Sequence, residues 1–515
     1  MKIMFISLIF SICGWSNLVR ANEYSADAYI EEGMRFERKG QYFQAARYYF
    51  QAAQKAGEQN QAKVYALISN ALVAEGLPQA ATYFFLKAVS LGNDQDIRLA
   101  LKGTASLVDD VGSVIFRKYL LKYTREEQFP KAGRDYFLYF MAQENLINQK
   151  PHEVVRAISD MTSDFPNYAS ALFLRGSAYL LLNDVDAGIS DFKTCIHVLD
   201  HRGSSKTQSQ SEVMELKNRC MAGVARGYYQ AKRYWDAEEW YESIEMRSFV
   251  WPQVQYERAW TAVARGDYNR ALGRLVSYKA PALSWFHDSE VELLRALSYL
   301  QMCIYDEVEK ESVGFMKKYG KVGQDMKSLL DSSADGSPRG LVNLFKRGQA
   351  ALLKKLQSED PIDQVMNRFV RSPYFVQLAQ TGSKVRRETV YLNAQGDAGN
   401  KGLGGFLRDV LAWRWETAQE VGGMFVRDRL ATEYKIFLSN VSTIDIAKLE
   451  MLRRAKSRVE QVVDYNIGMD EWGQKKRGSL GMPNTKDNQY FWAFNGEFWS
   501  DELGDYLFAL RPECN

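Results

Sequence analysis

The sequence predicts an all-α protein: an α-solenoid of stacked helix pairs, then a mainly helical C-terminal domain with a small aromatic hairpin tail. Three observations carry this. A small/aromatic/small order returns about every 34 residues over the first two thirds of the chain. Each copy holds two short apolar-periodic stretches around a turn. The pattern then stops ahead of a polar, turn-rich segment, Asp331–Pro338, which marks a boundary between residues 22–330 and 339–480.

The first 21 residues read as a cleavable export signal. Lys2 is the charged start, Ile3 to Ile12 the apolar run, and Val19-Arg20-Ala21 the cleavage site. The run is too short to span a membrane. Bulky Ile12 precedes Cys13, so lipid anchoring there is not expected. The mature chain is expected to start near Asn22, in a periplasm, with no transmembrane segment.

The first copy runs Tyr29, Gly33, Phe36, Gly40, Tyr42, Ala45, Tyr49, Ala52. Spacings of three and four put Tyr29, Gly33 and Phe36 on one helical face and Ala45, Tyr49 and Ala52 on one face of the next helix. Small residues allow close helix approach, and aromatics fill the space between neighbours. Gly40, Gly76 and Gly266 stand where a first helix must end in a left-handed residue. The order returns through Tyr65, Gly76 and Phe85, through Gly176, Tyr179 and Phe192, through Ala225, Tyr228 and Tyr241, and through Ala259, Gly266 and Leu275.

This pattern resembles the tetratricopeptide repeat family, with copies at about 26–59, 62–95, 135–168, 169–202, 218–251, 252–285 and 289–320 and a degenerate one at 96–134. The resemblance implies a protein-binding scaffold, not an enzyme, and the N-terminal signal makes it an exported one. The resemblance also implies that first-helix side chains line a concave groove: Tyr139, Gln143, Phe173, Ser177, Arg219, Arg226, Tyr229, Tyr256 and Trp260. Arg219, Arg226, Tyr256 and Trp260 would form a cationic and aromatic patch, the composition that interface hot spots favour. The Lys/Asn clamp that some members use for a C-terminal carboxylate is not reproduced.

Net charge is +3 and 25% of residues are charged, so composition argues for neither nucleic acid nor an anionic membrane as partner. Four cysteines follow the signal, Cys195, Cys220, Cys303 and Cys514, and allow three pairings. Cys195 and Cys220 lie on helices that pack together in repeats of this kind, which favours their pairing. The alternative is that they are small buried apolar residues.

Beyond the repeats, Leu341 to Leu356 reads as an amphipathic helix, and Gly396–Gly405 as a flexible connection. Phe406–Leu438 and Thr443–Val463 read as an antiparallel helical hairpin. Gly422-Gly423 interrupts its first arm, and Ser442 with Asp445 caps its second. Ile446, Leu449, Leu452, Ala455, Val459 and Val462 form that arm's apolar stripe.

In the tail, 481–515, Asn495-Gly496 between aromatic runs signals a hairpin. The tail looks like those of periplasmic repeat proteins of bacterial gliding and envelope machines. Glu497, Asp501 and Glu502 among Phe494, Phe498 and Trp499 suggest the alternative function: binding or hydrolysing a glycan such as peptidoglycan. The structural reading is that Trp492 and Trp499 anchor the tail while the carboxylates start a helix. His197 and His201 lie four apart on a helix, but no third ligand stands near, so no metal is expected. The Gly396–Gly405 loop lacks the Gly-Lys-Ser/Thr ending of a phosphate loop, and no cofactor is expected.

Overall fold

The computed structural model describes residues 25–202, 210–334, 336–354, 358–395, 402–464 and 496–514. All regular structure among the described residues is helical. The first pairs are α1 (Ala26–Arg38) with α2 (Tyr42–Lys55) and α3 (Glu58–Ala74) with α4 (Pro78–Leu91). The degenerate copy breaks into three short helices, α5 (Asp94–Ala100), α6 (Thr104–Val111) and α7 (Ser113–Tyr123). The pairs then resume: α8 (Lys131–Ile147) with α9 (Pro151–Ser159), α10 (Tyr168–Leu181) with α11 (Val185–Arg202), and α12 (Gln210–Gln230) with α13 (Tyr234–Glu242). Two more pairs follow, α14 (Trp251–Ala264) with α15 (Tyr268–Val276) and α16 (Glu290–Gln301) with α17 (Tyr305–Asp331). Within each pair the helices pack together, and each second helix also packs on the next first helix.

The close approach rests on the small-residue column. A Cβ at Gly33 would lie 2.4 Å from the Tyr49 ring, and one at Gly223 would lie 2.7 Å from that of Phe192. The turn between paired helices uses a left-handed residue. Glycine supplies it at Gly40, Gly76 and Gly266. The other pairs reach the same conformation without glycine, at Gln149, Asn183, Lys232 and Cys303, with φ between 56° and 61°.

The C-terminal third departs from the expected layout. After α18 (Pro338–Leu353), α19 (Pro361–Val370) and α20 (Pro373–Ala394), the predicted hairpin is one helix of 62 residues, α21 (Leu403–Asp464), about 93 Å long. Ser442 does not cap a new helix, because its hydroxyl donates to the Leu438 carbonyl inside α21 at 3.2 Å. Gly422-Gly423 does not break the helix either. A Cβ at Gly422 would meet the Phe345 ring at 2.2 Å, and one at Gly423 the Leu341 carbonyl oxygen at 2.0 Å. The pair is where α18 crosses α21 at close range. The predicted stripe also faces the other way. Ile446, Leu449 and Leu452 are exposed, while Ile444, Ala447 and Met451 are buried.

Nor does this third keep a core of its own. Leu392, Leu403, Leu407 and Leu411 share one with Ala45, Phe84 and Phe85 of the first repeats. Phe345, Phe375, Val426 and Phe437 share another with Phe315, Tyr319 and Met326 of α17. The expected boundary at 331–338 falls between α17 and α18, and both of these cores take residues from either side of it.

Cys195 and Cys220 form a disulfide between α11 and α12, and Cys303 and Cys514 form a second. Most of the expected aromatic hairpin, with Trp492, lies outside the described residues, as do the signal and residues 396–401. Trp499 is 59% exposed and no helix follows it among the described residues, so neither it nor the nearby carboxylates play the expected anchoring and helix-starting roles. Residues 496–514 instead lie against α14–α16 through Leu503, Tyr506, Phe508 and Leu510.

Candidate protein-binding face

The nine groove residues fall on four first helices. Tyr139 and Gln143 are on α8, Phe173 and Ser177 on α10, Arg219, Arg226 and Tyr229 on α12, and Tyr256 and Trp260 on α14. These helices follow one another as neighbours: α8 packs on α10 and α10 on α12, and Arg226 bonds Glu257 across to α14. All nine side chains are half-buried.

Their partners limit what they can present. Tyr139 lies beside the Phe165 ring, and burial raises its pKa against hydrogen bonds from Gln143 and Ser170. Phe173 packs on Phe192, and the Ser177 hydroxyl donates to the Phe173 carbonyl at 2.8 Å. Arg219 pairs with Glu215 at 3.2 Å. Arg226 makes a two-pronged pair with Glu257, Nε to Oε2 at 2.9 Å and Nη2 to Oε1 at 2.7 Å. Burial opposes its charge, and the Glu257 carboxylate more than offsets this, so its pKa is raised. Tyr229 packs against Tyr234.

Burial, the first cause, and the nearby Glu290 and Asp288 raise the Tyr256 pKa, and Tyr256 hydrogen-bonds Glu290. Arg368 of α19 stands next to them, held by Asp288 at 3.0 Å and Glu433 at 2.6 Å. Trp260 packs its ring against the α14–α16 core. The expected patch is thus a belt of matched charges with aromatic edges, not a row of unpaired cations. Sequence spacing placed Arg219 and Arg226, but Glu215 and Glu257 are what neutralise them.

A shallow depression of about 640 Å³ lies elsewhere, between α11, α12 and the start of α13. Lys193, His197, Tyr228 and Arg233 line it, and Lys193 Nζ donates to the Tyr228 hydroxyl at 2.9 Å. His197 and His201 stack ring on ring at 4.0 Å, and no group of three potential metal ligands occurs among the described residues. Glu497 and Asp501 are exposed in a turn-rich segment, and the Tyr506 hydroxyl donates to Glu502. No helix among the described residues is long and apolar enough to cross a membrane.

Together these features define a tetratricopeptide-like solenoid of helix pairs. No family model matches the chain, and no curated protein does. Among solved structures it is similar to the apo form of RapI, with 12% identity over 76% of this chain and 97% of that one, at a TM-score of 0.34. It is also similar to the P58(IPK) TPR domain, with 14% identity over 77% and 98%, at 0.19. A circular tandem repeat protein with novel repeat topology matches with 12% identity over 86% and 91%, at 0.13.

Proposed function

We propose that this chain is a non-enzymatic, exported scaffold that holds a protein or peptide partner on the face made by α8, α10, α12 and α14, within an envelope complex. The observation that carries the reading is the run of half-buried aromatic and polar side chains, Tyr139 to Trp260, along four successive first helices. Such amphipathic, partly desolvated positions are where truncation costs most binding energy. Two disulfides suit an oxidising compartment such as the periplasm.

The test is crosslinking in the native envelope, followed by mass spectrometry of the captured protein. Trp260→Ala and Arg219→Ala together should cut its yield roughly tenfold or more, the loss expected from a hot spot, in protein whose circular dichroism shows it still folded. Undiminished capture would overturn this face as the binding site.

A further inference from the structure

Residues 503–514 occupy α15 and its neighbours as a bound peptide would. Asn269 reads the peptide backbone from both sides of one residue. Its Nδ2 donates to the Leu510 carbonyl at 2.9 Å, and the Leu510 N–H donates to its Oδ1 at 2.9 Å. The Phe508 N–H donates to the Asn269 carbonyl at 3.2 Å, and the Gly504 N–H to Ser277 Oγ at 2.7 Å. Near the end, the Glu513 N–H reaches the Met302 carbonyl at 2.8 Å.

Side chains alternate along the segment. Tyr506, Phe508 and Leu510 pack onto the repeat cores, after Leu503 has entered one. Alternation with backbone bonding is how extended peptides are recognised on a protein surface. The receiving surface is shaped for backbone. A Cβ on Gly273 would lie 1.9 Å from the Tyr506 carbonyl oxygen. Arg258, itself buried against Glu238, reaches Asp505 at 3.4 Å. Cys303–Cys514 then ties the segment down covalently.

We infer that the α15 face is an extended-peptide docking site that also accepts this same segment from a second copy of the chain. The sequence it fits is the one seated in it. Residues 465–495 join α21 to the segment, and 31 residues reach at most about 110 Å, enough to lie on a neighbouring molecule. The exchange is balanced. A thiolate such as glutathione attacks Cys303–Cys514 at Cys303, forming a mixed disulfide there and releasing the Cys514 thiolate. This attacks Cys303 of a second copy and releases that copy's Cys514 thiolate, which attacks the mixed disulfide on the first Cys303 and expels glutathione. Two intramolecular bonds become two intermolecular ones, and the initiating thiolate is returned, with no net oxidation. A tethered segment competes at roughly millimolar effective concentration, so exchange belongs to clustered copies.

The test mixes full-length protein of natural isotope content with ¹⁵N-labelled protein, in a glutathione buffer without denaturant, followed by peptide mass spectrometry. Mixed-isotope Cys303–Cys514 peptides that increase with protein concentration are expected, while Cys195–Cys220 stays unmixed. In labelled Gly273→Val protein, which cannot receive the segment, mixed bonds to its Cys303 should fall several-fold. Same-isotope bonds alone would overturn the inference. So would equal scrambling at both disulfides, which would mark indiscriminate shuffling.

Discussion

Glu388 of α20 sits over the first turn of α4, where one carboxylate oxygen accepts the Ala80 N–H at 2.9 Å and the other accepts that of Gln79 at 2.8 Å. Helix starts leave such N–H groups unpaired, so a residue about 300 positions away in sequence completes the second repeat. Burial pushes the Glu388 carboxyl up to about 7, against the two backbone bonds and Arg414, with Asp110 reinforcing the rise. In the unfolded chain it titrates near 4.5. Between these values the folded protein holds the extra proton, so this group's contribution to stability falls as pH rises from 4.5 to 7. Glu388→Gln should remove that slope, at most about 1.4 kcal/mol per pH unit. Denaturant midpoints of both proteins across the window check it; parallel curves would contradict it.

Arg414 of α21 is fully buried, and its guanidinium nitrogens have no hydrogen-bond partner among the described residues. Burial lowers its pKa to about 10, and Glu388 opposes the drop. A buried charge that is poorly paired is costly, and an apolar residue of similar shape often does better. Arg414→Met should therefore stabilise by about 1–3 kcal/mol. It should also raise the Glu388 pKa further, because a cation that lowers it is gone. Thermal unfolding and the same pH series read both effects.

Two glycine-to-alanine changes should have opposite signs. At Gly314, on the exposed side of α17, a Cβ meets nothing within 4 Å, so Gly314→Ala should gain about 0.5–1 kcal/mol from helix propensity. At Gly423 the new Cβ would run into the backbone of Leu341, so Gly423→Ala should lose about 1–3 kcal/mol as α18 and α21 are forced apart. Chemical denaturation of the pair separates propensity from packing.

Lys232 is held at φ 61° in the turn between α12 and α13. A side chain in that region is strained by about 1 kcal/mol or more, part of which the entropy of an unfolded glycine offsets. Lys232→Gly should raise stability by about 0.5 kcal/mol or slightly more. A lower midpoint would show that the lysine makes up the strain elsewhere.

The repeat array was legible because one unit restates its packing rule many times. Gly33 against Tyr49 and Gly176 against Phe192 are the same contact read twice. The left-handed turns at Gln149, Asn183, Lys232 and Cys303 were not, since composition marks such turns mainly where glycine fills them. Gly422-Gly423 misled because propensity treats glycine as a break, whereas here a crossing helix needs its missing side chain. The stripe Ile446, Leu449, Leu452 misled because periodicity gives a face, not the direction in which the protein lies. On the candidate face, spacing located Arg226 and Tyr256 but could not reveal that Glu257 and Glu290 already engage them. Asn269 and Gly273 fit the repeat pattern well enough to hide a second task whose partner lies over 230 residues downstream.

An open stack of helix pairs behaves as a spring, because each unit touches only its neighbours. Here α21 meets α2 and α4 through Phe406 near its start, and Leu272 and Tyr299 through Ala447 and Met451 farther along. A rod fixed to both ends of a coil sets its pitch. Any ligand on the coil then meets a surface of constant curvature, and pulling on either end loads the rod before it stretches the repeats.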